Sequence, residues 1–229
     1  MPLSDPWVLR RAEMFEGLSD EQLLDVAGAG LVRRLTTGER IFSQGDPGHS
    51  CHSLLTGRVK IVQTLPDGSQ SVLRFIGPGE MYGTVAALMD QPFPADALAV
   101  TDSTEIRWSV SAFRDLMRRH PEIGVRSTAS AGMRLFDLQS RVGEMTTERV
   151  EQRIAKAILR LARQAGRPVT GGVEIDFPIT RQDLAEMTGS TLHTVSRTLA
   201  AWDQSGVTAS RRRGVIVRDL AELERLAHS

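Results

Sequence analysis

The sequence predicts an α+β fold in which an antiparallel β-roll, one long unbroken helix and a smaller helical unit follow one another along the chain. Three observations predict it. Brief apolar runs between residues 38 and 83 are broken by Gly38, Gly45, Gly48, Gly57, Gly68, Gly77, Gly79 and Gly83, the punctuation of short antiparallel strands. From Pro121 no proline recurs until Pro168, and proline is well tolerated in a first helical turn. Near residue 190, two short helical patterns flank Gly189.

Bulk properties bound the rest. A chain of 229 residues is long enough for two modest domains, each burying its own core. No apolar run approaches the ~20 residues a membrane span requires. The opening Met1-Pro-Leu-Ser-Asp-Pro6 lacks a basic segment followed by an apolar one, so no secretion signal is read and the cytoplasm is expected. The single cysteine, Cys51, excludes an internal disulfide and an iron–sulfur cluster built from four cysteines of one chain. It is expected to be a small buried hydrophobe. Net charge is zero, yet residues 1–145 carry 15 Lys/Arg against 18 Asp/Glu and residues 146–229 carry 13 against 10. A phosphate-bearing partner feels that local basic excess more than the distant total.

The elements follow in order. Residues 20–29 read as a short helix. Val59-Lys-Ile-Val62 and Ser71-Val-Leu-Arg-Phe-Ile76 flank Pro66-Asp67-Gly68, an Asp-Gly turn suited to a tight hairpin. In the long helix, Gly124, Thr128, Ala131, Leu135, Leu138, Val142 and Met145 fall at alternating spacings of four and three, one stripe of a rod ~37 Å long. The stripe fits a seam between two helices, large and aliphatic at its lower end and small at its upper end; a helix packed on its own domain shows a wider apolar face. Thr146 and Thr147 offer an N-cap for the next helix, with Glu148 in its first turn and Val150, Ile154, Ile158 and Leu161 on one face. Gly166-Arg-Pro-Val-Thr-Gly-Gly172 reads as a turn before a strand-like Val173-Glu-Ile-Asp-Phe177. The boundaries predicted are thus 1–120, 121–145 and 146–229.

Thr180 caps a short helix that stops at Gly189, and a second helix is predicted from Thr191 to Trp202 with Leu192, Val195, Leu199 and Trp202 inward. Helix, glycine turn, helix is the plan in which the second helix enters the major groove. Its outward residues are His193, Thr194, Ser196 and Arg197. Arg197 can grip guanine O6 and N7, and a Ser or Thr can bond a base edge or phosphate. Ser210-Arg-Arg-Arg-Gly214 leads into Val215-Ile-Val217, a β-wing whose Arg211, Arg212 and Arg213 would lie near phosphates. A lone Arg or a triple Arg is more often a solvated surface; the order of all the elements favours the DNA-binding reading. Two rivals are an enzyme holding metal between histidines, for which only His49 and His52 are close, and a ligand-binding module acting through protein partners.

Over nearly its full length the chain resembles the CRP/FNR superfamily of regulators. The segments that carry the resemblance are Phe42-Ser-Gln-Gly-Asp46, Leu55-Thr-Gly-Arg-Val59, Phe75-Ile-Gly-Pro-Gly-Glu-Met-Tyr-Gly83 and residues 179–199. It implies a cyclic-nucleotide-binding-type β-roll, a dimerisation helix and a winged helix-turn-helix, in a homodimer on a palindromic DNA operator, with RNA polymerase and a small-molecule or gas effector as partners. Arg181, Ser190 and Thr191 would join the DNA contacts. Gly83, Thr84, Val85, Ala95 and Thr128 would line the effector pocket.

Departures from the family pattern bear on the effector. Cyclic-AMP-binding members carry a Glu just after a roll glycine and an Arg-Ser pair further along. Here Gly83 is followed by Thr84, and the later region reads Pro92-Phe-Pro-Ala-Asp96, so tight cyclic AMP binding is not expected. The wording around residues 187–197 is similar to the nitrogen-oxide-responsive (NnrR/DNR-like) branch, some of whose relatives use haem. Candidate haem ligands are Pro2, His49 and His52, although a polar loop histidine is more often solvated. His193 stands where many relatives have Glu, which alters the base pair read there.

Overall fold

A computed structural model describes residues 5–228, and the chain clusters into two compact units, residues 1–69 with 73–137 and residues 70–72 with 138–229. The first opens with two 3-10 turns, Pro6–Arg11 and Glu13–Phe15, before α1 (Asp20–Gly28). Ser19 and Gln22 form a reciprocal capping box that satisfies otherwise orphaned N–H groups and fixes where α1 begins.

Eight strands follow: β1 (Leu31–Leu35), β2 (Arg40–Phe42), β3 (Ser50–Thr56), β4 (Val59–Thr64), β5 (Gln70–Ile76), β6 (Met81–Tyr82), β7 (Asp96–Ala99) and β8 (Ser103–Ser109), with α2 (Thr84–Leu88) between β6 and β7. They form two four-stranded sheets, ordered β1-β8-β3-β6 and β2-β7-β4-β5. The β4–β5 turn closes where Asp67-Gly68 predicted it, with Leu65 N–H donating to Ser69 O at 2.8 Å.

Alternation along the strands builds two cores. Leu35, Leu54, Val59, Ile76, Ala97 and Ala99 fill one. The other includes Cys51, Ile106 and Trp108, packed with Leu9, Phe15, Leu23, Val26 and Phe113. Trp108 Nε1–H donates to Val26 O at 2.8 Å, so this buried indole is both packed and satisfied. Between β3 and β4, Gly57 turns at φ +89°, and a Cβ there would stand 2.1 Å from Ser103 Oγ; no other residue fits this turn.

After α3 (Val110–Arg119) comes α4 (Pro121–Thr147). At their junction His120 Nε2 lies 2.6 Å from Asp25 Oδ2. Hydrogen bonding from Arg119, more than offsetting partial burial, and then from His120 holds the Asp25 carboxyl below its usual range. The division between the units falls inside α4, between Asp137 and Leu138.

The second unit holds α5 (Val150–Ala165), β9 (Gly166–Val169), β10 (Gly172–Ile175), α6 (Arg181–Thr188), α7 (Leu192–Gln204), β11 (Thr208–Arg211), β12 (Gly214–Val217) and α8 (Leu220–His228). A four-stranded sheet, ordered β11-β12-β10-β9, accompanies a core that includes Ile154, Ile158, Leu184, Val195, Leu199 and Leu223.

Three local expectations are corrected. Thr146 and Thr147 do not cap α5: α4 runs through both, and their hydroxyls donate back to the carbonyls of Val142 and Gly143. The N-cap is Arg149, whose N–H donates to Gln152 Oε1 at 2.8 Å. The stretch read as a turn at residues 166–172 contains β9, paired antiparallel with β10. Leu192, expected inward, is 49 % exposed at the first position of α7. Among the described residues no helix is long and apolar enough to cross a membrane.

Candidate DNA interface and sensing roll

The helix-turn-helix is built by local chemistry. Thr180 and Asp183 form a capping box at the start of α6, and Gly189 ends it at φ +58°, a left-handed conformation that glycine adopts most cheaply. Ser190 N–H then donates to Ala185 O at 3.0 Å. Thr191 caps α7 by accepting from Thr194 N–H at 3.1 Å. Val195, Leu199 and Trp202 bury the inner face of α7. His193 and Arg197 are exposed and, four residues apart, share its outer face, flanked by the half-buried Thr194 and Ser196.

Among the described residues no carboxylate lies within ion-pair distance of Arg181, Arg197, Arg212 or Arg213, all exposed. Arg211 differs. It meets Glu174 at 3.2 Å, and Glu174 and Asp176 also hold Arg167 at 2.9 and 3.2 Å. The predicted arginine trio is therefore two free cations at the wing turn and one neutralised at its base. The hydroxyls of Ser190 and Thr191 are also engaged internally, with Thr188 Oγ1 at 3.1 Å and Thr194 Oγ1 at 3.0 Å.

Inside the roll lies a polar cluster that the sequence reading missed. His52 sits on β3, not in a loop, and is buried. Its Nδ1 lies 3.0 Å from Glu105 Oε2 and its Nε2 lies 2.8 Å from Ser50 Oγ. Tyr82 O–H donates to the same Glu105 oxygen. Burial opposes ionisation of Glu105, but hydrogen bonds from His52 and Tyr82, with Arg33 3.8 Å away, hold its carboxyl below the usual range. Burial and the Glu105 charge push the Tyr82 phenol well up. Phe42 stacks on Phe93 with centroids 3.9 Å apart, and Phe42 lies 5.6 Å from the His52 ring.

The expected effector residues border this cluster unevenly. A Cβ on Gly83 would stand 3.1 Å from Phe93 and 3.3 Å from His52. Thr84 and Ala95 are buried, and among the described residues the Thr84 hydroxyl has no hydrogen-bond partner. Val85 and Thr128 are exposed, and Thr128 Oγ1 donates to Gly124 O in its own helix at 3.0 Å. His49 is exposed, and Pro2 lies outside the described residues. Cys51 is fully buried, and burial pushes its thiol up to about 12.

Residues 32–120 match the cyclic nucleotide-binding domain, and residues 152–226 match the Crp-like helix-turn-helix domain. The chain is 31 % identical over 220 residues to the cyclic AMP receptor protein of Thermus thermophilus, covering 96 % of this chain and 98 % of that one. The chain belongs to the CRP/FNR family of transcription regulators. A second family relative, the nitrogen fixation regulation protein FixK of Rhizobium meliloti, is 30 % identical over 186 residues, covering 81 % of this chain and 82 % of its own. A solved CRP-family transcriptional regulator, also from Thermus thermophilus, superposes with a TM-score of 0.73 at 27 % identity, covering 86 % of this chain and 97 % of that one.

As a CRP/FNR-family member the protein is a DNA-binding transcription regulator. One cavity of its roll unit, about 190 Å³, is lined by Arg74, Glu80, Met81, Ser130 and Arg134, among others, and by none of the five residues expected at the effector pocket. Arg134 N–H donates to Met81 O at 3.0 Å. Burial, then the charge of Arg74, pushes the Arg134 guanidinium down to about 10. The signal for this cavity was available in the sequence as an arginine within the otherwise small and apolar wording of residues 129–135.

Proposed function

We propose that this regulator works as a homodimer on a palindromic operator and that a small effector in the roll unit shifts it between two arrangements of its reading heads. One observation carries the dimer: Leu135, Leu138, Val142 and Met145 lie on one face of α4 and are 57, 50, 64 and 47 % exposed. A contiguous apolar stripe of this length marks an association surface, and its four-and-three spacing suits a second copy of the same helix. Two such helices would hold two copies of α7 for half-sites about one DNA turn, ~34 Å, apart. The effector must bind the DNA-competent arrangement more tightly than the other, or it shifts nothing. RNA polymerase is the expected further partner.

Selection from a random duplex pool, with sedimentation of the same sample, tests this reading. The expected result is a dimer that recovers a two-fold-symmetric sequence; a monomer recovering a single half-site overturns it.

The effector reading is narrower. The relatives' names include a cyclic AMP receptor protein, but Thr84 offers no ribose carboxylate, the Asp96 carboxylate already accepts from Gln44 N–H at 2.7 Å and lies 3.7 Å from Arg40, and residues 92–96 hold no phosphate arginine. We expect no tight cyclic AMP binding; micromolar or better affinity by calorimetry overturns that. Nitric oxide or a related signal rests on the wording of residues 187–197. Haem has poor footing at His52, because iron ligation would break a bond that each ring nitrogen already makes. An absorption spectrum after haem addition tests it: no Soret band is expected, and a stoichiometric one overturns this reasoning.

A further inference from the structure

One side chain joins the end of the long helix to the helix-turn-helix. Arg153, half-buried in the first turn of α5, donates from Nη1 to Glu148 O at 2.9 Å and from Nε to Thr188 O at 3.0 Å. Glu148 directly follows the last residue of α4, and Thr188 is the last residue of α6. Both carbonyls therefore stand at helix C-termini, where C=O groups lack intrahelical partners and partial negative charge collects. No carboxylate of the described residues lies within ion-pair distance of Arg153. Its charge is answered by two helix ends at once.

Neighbouring groups brace the same joint. Glu144 takes both oxygens to Arg160, at 2.8 and 2.9 Å, and Lys156 pairs with Glu148. Leu184, Val195 and Leu199 are fully buried, so α6 and α7 also have apolar packing beside the hydrogen bonds of the joint. A planar guanidinium with donors in a fixed fork ties two carbonyls in one geometry; a lysine ammonium, a point charge on a flexible stem, does not.

We propose that Arg153 is a positioning residue for DNA reading: by holding the ends of α4 and α6 on one rigid group, it sets the angle between the long helix and α7. The angle fixes the half-site separation that two subunits can span. This inference rests on the homodimer reading above.

The test uses the full chain and the operator that the unmodified protein selects from a random duplex pool. That operator is rebuilt with one base pair added or removed between half-sites, a step of ~3.4 Å and about a tenth of a turn. Arg153→Ala and Arg153→Lys should bind the original operator about tenfold more weakly, the loss one mismatched base pair typically brings. Their penalty for altered spacing should shrink while affinity for scrambled duplex stays unchanged; the melting temperature should fall by a few degrees, because two helix-end carbonyls lose their donor, and the fold should be retained at the assay temperature. An equal loss on all three spacings and on scrambled duplex would show a merely structural role and overturn the proposal, as would unchanged operator affinity. If the alanine variant does not fold, the lysine variant decides alone. If the unmodified protein selects no paired half-sites, the homodimer reading fails first, before any variant is measured, and this inference falls with it.

Discussion

Replacing Glu105 with alanine removes the acceptor on which the interior of the roll converges. The carboxylate is fully buried and takes hydrogen bonds from His52 and Tyr82, both nearly fully buried. Its loss strands two donors, each costing about 1–3 kcal/mol when left unsatisfied. Against this stands the relief of no longer burying a charge, so the net cost should be about 3 kcal/mol, the lower end of what breaking a buried pair brings. Urea unfolding at pH 7 measures it through the midpoint at unchanged slope. A cycle with Tyr82→Phe should give a coupling of about 1 kcal/mol or more, since the two groups share one bond. The pH dependence has a definite sign. Because the folded carboxyl sits below its ordinary range, its contribution is complete above the unfolded value of about 4.3 and is lost as pH falls through the lower folded value. The part of the gap that comes from the Glu105 carboxyl should therefore narrow only in acid, as pH falls below the unfolded carboxyl range. A cost below about 1 kcal/mol at pH 7, or strict additivity with Tyr82→Phe, would refute the reasoning.

Other outcomes follow from the same geometry. Arg197→Ala should weaken operator binding by ~1–3 kcal/mol and blunt preference at one G·C pair in a mobility-shift series; equal loss on scrambled sequences would make Arg197 only a phosphate contact. Leu138→Asp, placing a charge in the exposed stripe of α4, should shift sedimentation from dimer to monomer while circular dichroism is retained. Cys51 should stay unreactive toward a thiol reagent at pH 8 in the folded protein and react within seconds in guanidinium, since burial both hides it and raises its pKa to about 12. Gly57→Ala should lower the melting temperature markedly, because the new Cβ meets Ser103 and the Asp102 carbonyl at a positive φ.

The elements legible from sequence were those written in local chemistry. Thr180, Asp183 and Gly189 specify the ends of α6 through a cap, a first-turn charge and a left-handed stop, none of which needs a distant partner. Most of the rest depends on tertiary context. Thr146 is as good a cap by residue type as Thr180, yet α4 continues through it; the local difference is that Thr180 has Asp183 three residues on to complete a capping box, where Thr146 has Arg149. Arg167-Pro168 reads as a turn, but β10 pairs with only one side of β9, and an edge strand tolerates proline. Leu192 fits the inward spacing of α7, but the first turn of a helix can project past the neighbour that buries the rest. The roll interior was least legible. His52 and Glu105 are polar residues on separate strands, 53 positions apart in sequence, and only the β3–β8 register makes each the reason the other can be buried.

The pairing of Arg211 and Arg167 with Glu174 at the base of the wing bears on how binding responds to electrolyte. Each phosphate neutralised by a cation releases condensed counter-ions, worth about 0.9 in the slope of log affinity against log salt. With Arg211 already neutralised within the fold, the hairpin turn offers Arg212 and Arg213, about two such contacts per subunit rather than the three its Arg-Arg-Arg sequence would suggest. The wing then acts as a light electrostatic rudder, and as ionic strength rises a growing share of the binding free energy rests on the base-reading face of His193 and Arg197.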